Sequence, residues 1–437
     1  VVWGMRTLLP FLLRLLLVTT PAWAQIPDTT FLSSARADAL TGLYVLEDGR
    51  VLHVLDLRDQ VAGSVLSVTE YASGRVRALY PMADGRFEAG SAWFRRDSVA
   101  YRVRFDETAR PVRGLTWDEG GRTLAGRRAP LVEREVTIPV GDVRLAGTLV
   151  LPPGPGPHPA VVMVSGWGPE TRGISRYVGD LLAYHGVAVL VTDKRGSGSS
   201  TGSWSDLTYA GWALEVEALL DFLRTQQGVD PDRLGLYGNS ESGFVVPVAA
   251  ARRRDVRFLV CRVCSALPVS QISHHLQSFV LRREHAPEAE VAVGMDLLSR
   301  MMRYAIERTG YDSLEALSAR LADRSWRGRI VGGATLPARN ARYWANYRAT
   351  LVLDPRDHYR RLRIPILVLF GERDERLEVE RHRAAYDSLA RSGVDLTLWV
   401  VPDASHGLML GVNNSAGYPA GLHERLAHWV AEAAGVR

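Results

Sequence analysis

The chain is poor in lysine and in cysteine. Of its 437 residues, 53 are lysine or arginine, yet Lys194 is the only lysine. The formal charge of +5 is therefore arginine charge, scattered along the whole sequence rather than gathered in one run. No dense basic stretch with interleaved aromatics is present, so a nucleic-acid partner is not expected. The two cysteines are Cys261 and Cys264. A CxxC spacing can mark a redox centre or half of a zinc site, but no second pair exists to complete the latter. The run Val256 to Val263 reads as a strand, on which residues three apart face opposite ways at ~10 Å, beyond disulfide reach. Two buried structural thiols are expected.

Other absences narrow the field further. There are no internal repeats and no low-complexity tract. HExxH is missing, and His274 and His275 are adjacent on a predicted helix and face different ways, so no metal site is expected. Gly196-x-Gly198-x-x-Thr201 lacks the third glycine of a dinucleotide fingerprint, and no Walker lysine follows. No cofactor is expected. The apolar run Leu8 to Val18 is broken by Pro10 and Arg14 and falls short of the ~20 residues needed to span a bilayer. With Met5-Arg6 before it and Ala22-Trp23-Ala24 after it, it reads as a signal peptide over residues 1–24. On this reading Met5 is the start and Gln25 opens the mature chain. The protein is then expected to be exported, periplasmic or secreted, with no stable membrane insertion after cleavage.

What remains is a composition 46% hydrophobic and 23% charged, enough for more than one packed core. Residues 25–130 read as a small all-β domain, an antiparallel barrel or sandwich. Strand-like runs such as Val51 to Leu55 and Tyr101 to Phe105 are separated by the turn pairs Asp48-Gly49, Ser73-Gly74, Asp84-Gly85 and Gly120-Gly121. From Leu131 strands alternate with helices. Strands are predicted at Glu133–Ile138, Val143–Leu151, Ala160–Val164, Val187–Val191, Leu234–Tyr237, Phe258–Val263, Ile364–Phe370 and Leu396–Val401, with a helix at Tyr209–Leu223. The fold class is therefore α/β, a mostly parallel sheet flanked by helices. Between residues 267 and 350 the rhythm becomes helical, with Leu298, Met301, Met302 and Ala305 on one face. That stretch is predicted to be an inserted lid.

Chemistry concentrates at Gly238-Asn239-Ser240-Glu241-Ser242-Gly243, which follows a strand and precedes a predicted helix. A nucleophile on so tight a turn needs small neighbours two positions away, and Gly238 supplies one. Ser242 stands where a second glycine is usual. It is the weaker nucleophile candidate because Ser240, not glycine, lies two before it. A serine hydroxyl needs a base. His406, just beyond the last strand, is placed to provide it. Asp374, just beyond the preceding strand, can accept the Nδ1 proton and fix the tautomer, with Glu372 and Glu378 as rivals. The developing oxyanion needs donors. The amides of Glu241 and of Trp167, in Ser165-Gly166-Trp167-Gly168-Pro169, are the candidates.

From about residue 131 onward the chain resembles a family of lidded bacterial α/β-hydrolases, known variously as esterases, dienelactone-hydrolase-like proteins and S9- or S33-peptidase-like hydrolases. The resemblance rests on the Trp167 loop, Asp193-Lys194-Arg195-Gly196-Ser197-Gly198-Ser199-Ser200, the Ser240 turn, Gly371-Glu372-Arg373-Asp374 and Ser405-His406-Gly407. Glu241 straight after the nucleophile, and Trp344 ahead of Asp354-Pro355, also match. The sequence departs from the pattern at Ser242 and at Ser165, where many such hydrolases carry histidine. The resemblance implies the α/β-hydrolase fold, a Ser240–His406–Asp374 triad and hydrolysis of a small-molecule carboxylic ester through an acyl-enzyme.

Peptidase activity is the main rival. A propeller-bearing peptidase is excluded because residues 25–130 cannot supply several blades of ~40–45 residues. An aminopeptidase should carry lid acids for the substrate amine, and Asp296 and Glu307 are the candidates. Thioester or lactone hydrolysis uses the same machinery. A non-catalytic exported binding protein is the alternative of another class. The sequence leaves the oligomeric state open.

Overall fold

The computed structural model describes residues 32–58, 65–95, 98–204, 207–411 and 414–436. The expected leader, residues 1–24, lies outside them.

Helix α1 (Ser34–Leu40) begins where the Ser33 hydroxyl caps the Arg36 N–H. Eight antiparallel strands follow: β1 (Gly42–Leu46), β2 (Val51–Asp56), β3 (Leu66–Glu70), β4 (Val76–Pro81), β5 (Phe87–Ala89), β6 (Tyr101–Phe105), β7 (Gly114–Glu119) and β8 (Arg122–Arg128). β1 also pairs with β8, so the sheet closes into a barrel and leaves no free edge. The two-residue period of a strand explains the sequence of β2. Leu52 and Val54 point into the barrel core with Phe87, Tyr101 and Trp117. The alternate residue His53 leaves the barrel and reaches Asp180 of the second unit at 3.0 Å.

The second sheet has eight strands in the order β16-β15-β14-β13-β11-β12-β10-β9. They are β9 (Val132–Val140), β10 (Val143–Leu151), β11 (His158–Val164), β12 (Ala188–Thr192), β13 (Val229–Asn239), β14 (Val256–Arg262), β15 (Ile366–Gly371) and β16 (Leu396–Val401). The run from β12 to β16 is parallel, while β10 pairs antiparallel with both β12 and β9. The sheet is thus mixed. Helices α2 (Arg176–Tyr184), α3 (Tyr209–Arg224) and α4 (Val246–Arg252) pack on it. So do α11 (Val379–Arg391) and α12 (Leu422–Ala433). β11, β14 and β15 are buried almost end to end, which is why they read as unbroken apolar runs.

Between β14 and β15 the chain leaves the sheet as six helices. These are α5 (Val269–Arg283), α6 (Glu288–Glu307), α7 (Tyr311–Arg320), α8 (Arg327–Val331), α9 (Tyr343–Val352) and α10 (Pro355–Tyr359). They carry their own core around Leu297, Met301, Leu314 and Trp344. The helices extend past the expected end at residue 350 because Asp354 caps one more turn that begins at Pro355.

Two local expectations are corrected. The chain leaves β14 at Arg262, and Val263 turns at φ 50°, so Cys264 is not on the strand. Its thiol lies 3.5 Å from the Arg262 carbonyl and 3.6 Å from that of Gly238, whereas the Cys261 thiol meets the Tyr359 hydroxyl at 3.0 Å. Both are buried and unbonded covalently. Downstream of Ser240, a tight 3-10 turn (Ser240–Phe244) comes before α4. That turn needs glycine at 243, where an added Cβ would sit 2.5 Å from the Cys264 Cβ.

Candidate active site

Every parallel strand of the second sheet delivers its following loop to one rim, the carboxyl edge where open α/β sheets hold their chemistry. β13 ends at Asn239 and Ser240 turns at φ 52°, a left-handed conformation that a non-glycine residue adopts only when its surroundings hold it there. Gly238 makes the turn possible. An added Cβ there would lie 2.7 Å from Val246 Cγ2. Ser242, the other serine of the motif, is fully buried. Its hydroxyl accepts the Asn239 N–H at 2.6 Å and lies 3.0 Å from the Asn239 carbonyl and 3.2 Å from that of Val164. It holds the turn together and faces away from solvent.

His406 and Asp374 meet Ser240 at this rim. Ser240 Oγ lies 3.1 Å from His406 Nε2, and His406 Nδ1 lies 2.8 Å from Asp374 Oδ2 and 2.9 Å from Oδ1. A carboxylate can only accept, so Nδ1 carries the hydrogen and Nε2 presents its lone pair to the serine hydroxyl. The Asp374 side chain is 0% exposed. Burial works to raise its pKa, but the His406 charge and hydrogen bond, with the N–H groups of Arg376 and Leu377, outweigh burial and hold it below the usual aspartate range. The rivals are engaged elsewhere. Glu372 accepts the Asp403 N–H at 3.1 Å, and Glu378 pairs with Arg381.

Several residues that sequence reasoning passed over support this arrangement. Glu375 accepts the His406 backbone N–H at 3.0 Å. Arg262, at the end of β14, donates to Asn239 Oδ1 at 2.7 Å and to the Gly407 carbonyl at 2.6 Å, tying the serine turn to the histidine loop. Lys194 Nζ donates to the Gly166 carbonyl at 2.7 Å, and Glu170 Oε2 accepts the Gly166 N–H at 2.7 Å. Lys194 carried a sequence signal, since it is unique; the others are ordinary Arg and Glu in a chain full of both.

The expected oxyanion donors sit on the loops after β11 and β13. The Trp167 N–H finds no acceptor among the described residues, and the Glu241 N–H lies in the first turn of the 3-10 helix, where no preceding helical carbonyl reaches it. The Trp167 side chain is 56% exposed and meets Trp204 edge-on at 5.8 Å. Tyr209 donates to Glu241 Oε1 at 3.1 Å.

The other flagged residues lie elsewhere. His274 meets Ser299 and His275 meets the Glu375 carbonyl. These histidines line a cavity of about 420 Å³ between α5, α6 and Glu378. Asp296 pairs with Arg300 one turn on, and Glu307 accepts from Thr309.

The family described as X-Pro dipeptidyl-peptidase (S15 family) matches residues 141–407, which include all of these rim loops. Among curated proteins, thiohydrolase aneE of Aspergillus aculeatus is 28% identical over 160 residues, 36% of this chain and 49% of that protein. The chain thus spans about half the length of that relative. Among solved structures, 2,6-dihydroxy-pseudo-oxynicotine hydrolase is 18% identical with a TM-score of 0.45, covering 69% of this chain and 67% of that one. A Pyrococcus furiosus esterase, Pf2001, is 17% identical with a TM-score of 0.43, covering 70% of this chain and 90% of that one.

Proposed function

The chain belongs to the X-Pro dipeptidyl-peptidase (S15) family and is a hydrolase of the α/β-hydrolase class; from that premise we propose that it cleaves carboxylic esters by a Ser240–His406–Asp374 triad through an acyl-enzyme. One observation carries the reading: the continuous hydrogen-bonded line from Ser240 Oγ through the imidazole to a buried carboxylate.

His406 Nε2 takes the hydroxyl proton as Ser240 Oγ attacks the ester carbonyl. The carbonyl oxygen becomes an anion, received by the N–H groups of Trp167 and Glu241. Collapse breaks the ester C–O bond, and the alcohol leaves with the proton held on His406. Water then gives its proton to His406 and its oxygen to the acyl carbon, and the carboxylic acid departs as Ser240 regains its proton. Asp374 keeps its charge throughout and stabilises the imidazolium. The helical insertion α5 to α10 serves as the lid over this rim, and the substrate is a small molecule. The leader pattern before Gln25 supports action outside the cytoplasm.

The family description favours a second reading, cleavage of X-Pro peptides. Against it, the lid acids Asp296 and Glu307 are already engaged within their own helix or its end. Turnover of p-nitrophenyl acetate and butyrate is expected to exceed that of X-Pro p-nitroanilides, and Ser240→Ala is expected to lose the ester activity. Unchanged turnover in Ser240→Ala would leave a binding protein, and a preference for the anilides would make it a peptidase.

A further inference from the structure

Lys194 is the one lysine in a chain that otherwise uses arginine for positive charge, and its side chain is only 4% exposed. It follows β12, and its backbone N–H is anchored on the Glu170 carbonyl at 3.0 Å. From there the ammonium makes three contacts. It donates to the Gly166 carbonyl at 2.7 Å, lies 3.5 Å from Glu241 Oε2, and sits 3.9 Å from the centre of the Trp212 ring.

Two of these contacts touch the two halves of the proposed oxyanion site. The Gly166 carbonyl and the Trp167 N–H are opposite ends of one peptide group, held antiparallel by its planarity. A cation on the oxygen fixes the plane of that peptide and draws charge from it, so the N–H at the other end is a stronger and better-aimed donor. Glu170 holds Gly166 from the other side through its N–H. The second contact holds the side chain of Glu241, whose own N–H is the other donor, and Tyr209 holds the second oxygen of that carboxylate.

We infer that Lys194 is a positioning residue of the acyl-transfer site, locking and polarising the Gly166–Trp167 peptide and steadying Glu241 so that both backbone N–H groups face the developing oxyanion. This rests on the ester-hydrolysis reading above. Lysine suits the place because a compact ammonium can meet a carbonyl, a carboxylate and a ring face from one point, whereas a guanidinium is a wide planar fork. The space beneath it, walled by Asp193, Trp212 and Glu215, is only about 20 Å³, room for one water and not for that fork. Burial depresses the ammonium pKa, with Glu241 and Glu170 opposing the shift, consistent with a charge kept for a purpose in a costly place.

The test compares wild type, Lys194→Met, Lys194→Arg and Ser240→Ala in the full chain. It uses p-nitrophenyl butyrate and a trifluoromethyl ketone that forms a tetrahedral adduct with a serine. Lys194→Met is expected to lose about 10²-fold in kcat with KM moving no more than about threefold, and to bind the ketone about 10²-fold more weakly. Lys194→Arg restores little. A folded Lys194→Met protein with unchanged kcat and unchanged ketone affinity overturns the inference. So does a loss confined to KM. Should Lys194→Met not fold, wild type grown on lysine labelled with carbon-13 at Cε gives a single resonance from this chain. Its shift on ketone binding supports the inference, and no shift overturns it. If Ser240→Ala keeps the wild-type rate, the ester-hydrolysis reading itself falls, a result distinct from failure at Lys194.

Discussion

At the scale of single residues, the environment assigns different work to chemically similar groups. Ser240 and Ser242 lie two apart in one motif, yet one faces the imidazole and the other is sealed beneath the turn. Ser242→Ala is therefore expected to cost about 1–3 kcal/mol in denaturant unfolding, because the half-buried Asn239 N–H loses its partner and the turn its tie to the Val164 carbonyl. Its specific activity should stay within an order of magnitude of wild type, whereas Ser240→Ala should be inactive. Activity lost in Ser242→Ala and kept in Ser240→Ala would exchange their roles. Asp374 is distinguished from Glu372 and Glu378 in the same way. Asp374→Asn should lower kcat by about 10³–10⁴, since an amide no longer imposes the tautomer in which Nδ1 donates. Because the Asp374 pKa is lowered, the carboxylate stays ionised as the pH falls below neutrality. The acid limb of kcat/KM should accordingly carry no proton taken up by Asp374; a limb of slope two would contradict this.

At the scale of elements, the loops that carry the three residues are locked to each other by backbone. Gly371, at the end of β15, lies so close to the histidine loop that an added Cβ would sit 2.0 Å from the Ala404 carbonyl oxygen and 2.4 Å from that of Ser405. Gly371→Ala must push the acid loop away from the histidine loop. A fall in melting temperature and a drop in kcat together are expected, with a stability cost of about 1–3 kcal/mol or more. A fully active, equally stable Gly371→Ala protein would show that the two loops are not rigidly coupled. The helical insertion is a contrasting case, because its core is separate from that of the sheet. Leu297→Ala should cost about 2–5 kcal/mol. Hydrogen exchange should then quicken in α5 to α9 before it does in the strands; simultaneous loosening would mean the two cores unfold as one.

At the scale of the whole molecule, the barrel is joined to the sheet by buried polar and aromatic groups. His53 and Arg176 share Asp180, Tyr71 donates to the Tyr177 carbonyl, and His423 sits among Tyr71, Tyr177 and Tyr418. Burial, helped by the Arg262 charge, lowers the His423 pKa to about 3. An unfolded histidine titrates near ~6.5, so below that the unfolded chain binds a proton that the folded chain refuses. The stability contribution is complete above ~6.5 and is lost as the pH falls toward the folded value, by at most about 1.4 kcal/mol per pH unit. Urea unfolding at pH 7, 5.5 and 4.5 should show this slope in wild type and a flatter one in His423→Phe, which keeps an aromatic ring in the cluster. Equal slopes in the two proteins would place the acid sensitivity elsewhere.

The alternation of strands and helices, the helical interruption and the order Ser…Asp…His all stand in the linear sequence, because periodicity and turn chemistry are local properties of the chain. The strand runs quoted from β10 and β16 coincide with the observed elements, and the glycines that make the serine turn possible are visible as letters. Tertiary structure decided what depends on contact between distant segments. It closed the barrel through β1 and β8, turned the chain off β14 at Val263 ahead of Cys264, and set a 3-10 turn after Ser240 where a helix was expected. It also made supports of Arg262, Glu375 and Lys194. An arginine, a glutamate or a lysine has the same local preferences wherever it stands, and only the packing around it determines which carbonyl or carboxylate it meets.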